Sequence, residues 1–212
     1  VNKDKQDNIM TPNTFSEILT IIVAYLLGSI PCGLWVSWLF KLPDPRLEGS
    51  QSIGATNILR LGHKEAAILT LIFDILKGSC AVIFALIFAP PLIQVAAIFA
   101  VLGHIWPVWL GLRGGKGVAT AFGTLLILSW PLAFACLVSW LVVAFTTQYS
   151  SLASLVTVIL SPLYTACISG KDLVITCLLL ALLIVWSHRQ NICRLVTGRE
   201  PKIGEHNIPE DG

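Results

Sequence analysis

Seven apolar runs, separated by short polar segments, account for most of the chain: roughly 15–40, 66–89, 92–110, 118–130, 131–147, 151–168 and 172–187. Their apolar residues are continuous and do not alternate, so they read as helices and not as the strands of a barrel. Those are the two structures that satisfy their own backbone in lipid. A crossing helix needs about 20 residues. The stretch 118–147 is the exception, because Pro131 divides it into two pieces, both shorter than that.

Charge placement decides between one crossing and two. With seven crossings and the N-terminus outside, segments 41–65, 111–117, 148–150 and the tail from 188 share the inner side. They carry ten basic residues: Lys41, Arg46, Arg60, Lys64, Arg113, Lys116, Arg189, Arg194, Arg199 and Lys202. Only Lys3, Lys5 and Lys171 fall outside, and Lys77 lies within a run. This is the positive-inside pattern; a single crossing over 118–147 would move the basic tail outside. The expected fold is all-α: a polytopic integral membrane protein with seven transmembrane helices, some short or kinked, N-terminus outside and C-terminus cytoplasmic. A polar N-terminal extension covers 1–14. A membrane domain with cytoplasmic active-site loops covers 15–188. A cytoplasmic tail, 189–212, is expected to lie on the surface or without structure. The residues before Met10 read either as an added stretch or as an amphipathic start, and no cleavable signal peptide is expected.

Composition sharpens this picture in one direction. Hydrophobic residues make up 55% of the chain and charged residues 12%, against about 25% charged in soluble domains. A net charge of +2 gives no reason to expect nucleic acid. The six cysteines form no CxxC pair and show no metal-ligand spacing, so they read as small buried hydrophobes. Neither metal nor cofactor is called for. Trp35, Trp38, Trp106, Trp109, Trp130 and Trp186 lie near the ends of runs, as an interfacial belt requires.

The candidate chemistry sits in the inner segments. In "EGSQSIGATNILR", compact hydrogen-bonding residues Ser50, Ser52, Thr56 and Asn57 alternate with glycine, and Arg60 follows. This is either a capped connector or a holder for phosphate or carboxylate. "RGGKG" precedes the run from Val118. Glycines leave N–H groups to curl around an anion, the next helix adds its positive end, and Lys116 adds a charge. Gly117 stands where a Walker A loop needs Ser or Thr, so nucleotide hydrolysis is not supported. Asp74 and Lys77, at i,i+3 inside a run, form either an ion pair or a pocket wall. His104 precedes Pro107, which should kink its helix. Ser151 and Ser154 recur at i,i+3, as do His188 and Asn191. His188 could serve as a base, as a hydrogen-bond donor to a phosphate, or as a cap.

In order along the chain, "LLGSIPCG", "GSQSIGATNILR", "FDILKG", "VLGHIWPVWLGLRGGKGVATAFG", "SLAS" and "HRQNICRL…GREPKIG" resemble the bacterial membrane glycerol-3-phosphate acyltransferases that use acyl phosphate as donor. The resemblance covers about residues 25 to 204. It implies a seven-helix enzyme of the bacterial inner membrane that acylates the sn-1 hydroxyl of glycerol 3-phosphate. The products would be lysophosphatidic acid and phosphate, the first acylation of phospholipid synthesis. Glycerol 3-phosphate, acyl phosphate and membrane lipids are the implied partners. By motif, Ser50, Arg60, Ser154, His188 and Asn191 carry over as catalytic positions. Asn57, Arg60, Gly114, Gly115, Lys116 and Gly117 carry over as phosphate-binding ones, with Asp74, Lys77 and His104 in support. The family pattern has Gly-Asn where Gln51 and Ser52 stand, a basic residue at Ser187 and an acidic one at Gln190.

Two phosphorylated substrates would call for a basic site, with Arg60 and Lys116 each meeting one phosphate. Direct attack on an already activated acyl group needs no covalent intermediate. The base is either His188 or a substrate phosphate, whose second pKa is about 6. The acyl chain is expected in an apolar groove between spans. Three rival readings are weaker. A transporter of a phosphorylated solute would suit the Asp74–Lys77 pair, but the runs show no internal duplication. An intramembrane serine hydrolase lacks a GxSxG elbow. A phosphatidyl-alcohol transferase would need clustered aspartates, and only Asp74 lies inside a span.

Overall fold

The computed structural model describes residues 14–205; the expectations for 1–13 and for 206–212 lie outside the described residues. Among the described residues every regular element is a helix. In order, the helices are α1 (Thr14–Ser29), α2 (Cys32–Leu39), α3 (Ala55–Arg60), α4 (Lys64–Phe88) and α5 (Ile93–Ile105). They continue with α6 (Val118–Leu128), α7 (Trp130–Thr147), α8 (Ser150–Ile168), α9 (Val174–Ser187) and α10 (Arg189–Val196).

Proline sets two of the breaks. Pro31 cannot donate a backbone hydrogen bond and disfavours helix at Ile30, so α1 and α2 meet at a 40° bend. Pro107 ends α5 outright; the expected kink is a termination, followed by a short 3-10 turn at Val108–Leu110. Among the described residues, four helical segments are long and apolar enough to cross a membrane, and six are if each bent pair counts as one. A shorter apolar helix, α6, has 11 residues and a length of roughly 16 Å, about half a hydrocarbon core.

Hydrogen bonds define the two ends of the bundle. At one end, Thr56 meets Ser150 (3.3 Å), Ser187 donates to the Lys116 carbonyl (2.9 Å) and Arg60 to the Pro201 carbonyl (3.0 Å). The connections 40–63, 106–117 and 148–149 and the tail therefore gather there. At the other end, Ser129 and Ser169 are 2.6 Å apart, and Thr176 donates to Gln94 (2.7 Å). Short as it is, α6 runs from the first end to the second.

Small residues let the helices approach. A Cβ on Gly28 of α1 would run into the Ala100 carbonyl of α5, and one on Gly103 of α5 into the Tyr25 carbonyl of α1. Gly78 of α4 meets the Thr120 carbonyl of α6 in the same way, and Gly123 of α6 meets the Ile75 carbonyl of α4. Such contacts replace the hydrophobic drive that lipid does not supply between helices. Large apolar side chains such as Phe15, Ile87, Phe134, Phe145 and Leu182 face outward. Gly78→Ala should force α4 and α6 apart and cost about 1–3 kcal/mol, read as a lower midpoint of thermal unfolding in detergent.

Candidate active site

The gathered end opens into one cavity of about 360 Å³. Its polar part is lined by Ser50, Asn57, Arg60, Lys116, Ser154 and His188, drawn from four separate segments. Its apolar part runs between α6, α7, α8 and α9, along residues such as Leu125, Leu137, Leu141, Val158, Leu180 and Ile184. A charged head and a long alkyl tail would each find a matching surface.

The first connection is organised by Asn57. Gly54 precedes α3 in an extended conformation, and Asn57 lies inside the helix, not at its start. Its side-chain oxygen accepts from the Ser50 amide (2.8 Å) and hydroxyl (3.1 Å). Its amide group donates to the carbonyls of Pro45, Ser52 and Glu48. Asn57, expected to meet phosphate directly, is thus fully occupied in folding the loop that presents Ser50 and Arg60. Gln51 adopts φ +55°, the left-handed region that favours glycine, and the family pattern has glycine at this position. Ser52 accepts from the Gly54 amide (3.3 Å).

The glycine loop also differs from expectation. Ending α5 at Pro107 leaves its last carbonyls without helical donors. The Gly114 amide donates to Ile105 (3.1 Å) and the Gly115 amide to His104 (3.0 Å). Neither amide is free to hold an anion. Glycine is needed here for close approach, since a Cβ on Gly114 would strike the His104 carbonyl and one on Gly115 the His104 ring. Gly117 turns the chain into α6 at φ +84°. What the loop presents is Lys116, its ammonium pushed down to about 8 by burial, with Glu200 opposing and Arg60 and Arg194 reinforcing the shift.

His188 is the first residue beyond α9 and is buried. Its Nδ1 lies 2.8 Å from the Ile184 carbonyl. A carbonyl only accepts, so the proton sits on Nδ1 and Nε2 is the acceptor nitrogen. Burial, then Lys116, pushes this imidazole down to about 4, against the Ile184 hydrogen bond and Glu200. Ser154 donates to the Ser150 carbonyl (2.8 Å) and accepts from the Trp140 indole (3.1 Å), which is not the setting of a nucleophile. Asp74 and Lys77 pair at 2.9 Å, and His104 lies 3.5 Å from the same Asp74 oxygen. Asp74 and His104 also line the cavity, whereas Lys77 does not.

The residue that sequence reasoning missed is Glu200. Its carboxylate accepts from Ser151 (2.8 Å), Asn191 (2.7 Å) and Arg194 (2.7 Å) and lies 3.8 Å from Arg60. Burial, the largest single effect, would raise its pKa, but those three hydrogen bonds and the Arg194 charge together hold the carboxyl below its ordinary value. Ile203 adds a backbone bond to Gln148 (2.8 Å). The tail over 189–205 is therefore a helix and a strap that closes the site, not a loose end. The available signal was an acidic residue standing within a run of basic ones, in a motif otherwise read for His188 and Asn191.

Known proteins resemble this chain over most of its length. The model of a family described as glycerol-3-phosphate acyltransferase matches residues 18–198. A glycerol-3-phosphate acyltransferase of Jannaschia sp. is 48% identical over 188 residues, 88% of this chain and 93% of the relative. One from Pseudoalteromonas translucida is 47% identical over 196 residues, 91% and 96% of the two chains. Among solved structures, PlsY (YgiH), an integral membrane glycerol 3-phosphate acyltransferase, is similar in its glycerol 3-phosphate form. The TM-score is 0.84 at 35% identity, over 89% of this chain and 96% of that one. Its lysophosphatidic acid form gives 0.82 at 34% identity, over 90% and 96%.

The lowered pKa of Glu200 sets a direction for pH. Its contribution is complete above the ordinary carboxylate range and is lost as pH falls through the lowered folded value. At neutral pH, Glu200→Gln should speed hydrogen exchange at the Ile203 amide roughly tenfold or more, as losing about 1.5 kcal/mol or more of charged hydrogen bonding implies. Unchanged exchange would show that the strap does not depend on the carboxylate.

Proposed function

The chain belongs to the glycerol-3-phosphate acyltransferase family, and from that premise we propose how its cavity performs the reaction. The protein is an integral membrane enzyme that transfers an acyl group to glycerol 3-phosphate, the acylation that opens phospholipid synthesis. The donor we propose is acyl phosphate. The observation that carries this is a single cavity with two cations, Arg60 and Lys116, at its polar end and an apolar channel beyond. That arrangement suits two phosphates and one acyl chain.

In this reading the sn-1 hydroxyl oxygen attacks the acyl carbonyl carbon. The new ester bond forms, the acyl carbon–phosphate oxygen bond breaks, and inorganic phosphate leaves with the electron pair. Arg60 and Lys116 stabilise charge on the phosphates, and Ser50 lies beside them to orient a substrate oxygen. A substrate phosphate takes the hydroxyl proton. His188 supports this choice, because an imidazole pushed down to about 4 resists protonation near neutral pH. Its Nε2 instead accepts a hydrogen bond from a substrate hydroxyl and fixes its direction. Asn191 acts through Glu200, and Ser154 through the Trp140 wall.

We further propose seven crossings, counting α1 with α2 as one and α6 as a short one. The N-terminus is then outside, and the site lies on the cytoplasmic side of the bacterial inner membrane. The ten basic residues on the gathered end support this. A short α6 fits a site recessed below the membrane surface.

Purified enzyme given palmitoyl phosphate and glycerol 3-phosphate should release one phosphate per lysophosphatidic acid, and acyl-CoA should give no product. In sealed inside-out vesicles, added glycerol 3-phosphate should be used without permeabilisation. Turnover with acyl-CoA, or a need for permeabilisation, would overturn the donor or the orientation. The pH profile tests the roles. Lys116, pushed down to about 8, loses its charge above that pH, so kcat/KM should fall there. Lys116→Arg should move that limb upward. His188→Ala should lower the whole curve, about a hundredfold, without shifting either limb; a limb that disappears would restore His188 as the base.

A further inference from the structure

The ionisable cluster under the glycine loop is more than a packed ion pair needs. Asp74, Lys77, His104 and Thr120 are each 5% exposed or less. Apolar side chains of similar volume would stabilise such a place as well or better, and ionisable groups at membrane depth are costly. The contacts run in one direction. The broken helix at Pro31 leaves the Ile30 carbonyl to accept from Lys77 Nζ (2.8 Å), and Lys77 pairs with Asp74 (2.9 Å). Asp74 lies 3.5 Å from His104 Nδ1, and Thr120 Oγ1 lies 3.1 Å from the same nitrogen.

His104 then touches the loop at both ends. Its carbonyl accepts from the Gly115 amide, its ring lies directly under Gly115, and its Nδ1 meets Thr120 in the first turn of α6. Lys116 stands between these points. On the far side, Ser187 donates to the Lys116 carbonyl (2.9 Å). The Lys116 backbone is thus clamped between α5, α6 and α9.

We propose that His104, oriented by the Asp74–Lys77 pair, is a positioning residue that sets where Lys116 meets its phosphate. The inference rests on the reading of Lys116 as a phosphate holder. His104 touches no substrate in it; the imidazole acts through the loop.

The test is steady-state kinetics with both substrates varied, together with thermal unfolding in detergent. His104→Ala should raise KM for whichever substrate Lys116→Ala affects, roughly tenfold to a hundredfold, with a smaller change in kcat. His104→Asn keeps a nitrogen near the Nδ1 position and should recover most of the loss. The double variant His104→Ala/Lys116→Ala should be no worse than Lys116→Ala alone, since both remove one function. Should His104→Ala not fold, Thr120→Val removes only a hydroxyl and should raise the same KM by roughly threefold or more.

Losses that multiply in the double variant, or a fall in kcat at unchanged KM with a lower unfolding temperature, would overturn the positioning role and leave the cluster structural. An unchanged KM for both substrates in Lys116→Ala would overturn the phosphate reading itself, and this inference with it. The two failures are distinct in the same data.

Discussion

The polar end of this bundle depends on one buried carboxylate. Glu200 draws hydrogen bonds from Ser151 on α8 and from Asn191 and Arg194 on α10, and it faces Arg60 of α3. Without an internal anion, Arg60, Lys116 and Arg194 would repel one another at the edge of a medium that solvates charge poorly. With it, three segments far apart in sequence are drawn to a common point. The cations stay close enough to serve substrates that bring more negative charge than one carboxylate can supply. The same carboxylate raises Lys116 against the effect of burial, so the protein's own anion helps keep the lysine ready for the substrate's.

Burial works differently on the two basic groups beside the cavity. Lys116 is lowered to about 8 and remains mostly charged at neutral pH; His188 is lowered to about 4 and is neutral. The lysine can therefore attract phosphate, while the imidazole offers a lone pair at Nε2 without adding charge. One low-dielectric setting thus yields an electrostatic group and a directional one.

The architecture was legible in the sequence because lipid imposes a simple rule: apolar runs must be helices, and basic loops must share a side. Each of the seven runs coincides with helical segments, and the basic connections do gather at one end. The residues around the cavity were legible by type and motif. Their division of labour was not. Gly114 and Gly115 read as free amides because sequence does not show that Pro107 leaves carbonyls in need of those very donors. Asn57 read as a ligand because its five hydrogen bonds, to Pro45, Glu48, Ser50 and Ser52, come from a loop whose folding cannot be inferred from spacing. Glu200 was hidden because its partners lie up to 140 residues away, at Arg60, and a charged tail usually lies in water.

These corrections change the character of the site. It is less a nest of backbone amides than a pair of side-chain cations held by a rigid frame. Such a frame suits a donor that is already activated. When the leaving group needs only charge neutralisation, the enzyme gains most by fixing where that charge will lie. Rigidity is expensive at a membrane surface, where loops are ordinarily mobile. Here it comes from below, through the Asp74–His104 cluster and the helix breaks at Pro31 and Pro107, and from above, through the Glu200 strap. The apolar channel needs no comparable order, because an alkyl chain asks only for a surface that excludes water. The polar groups are therefore concentrated at one end of the cavity, and the apolar remainder of the same cavity is left to packing.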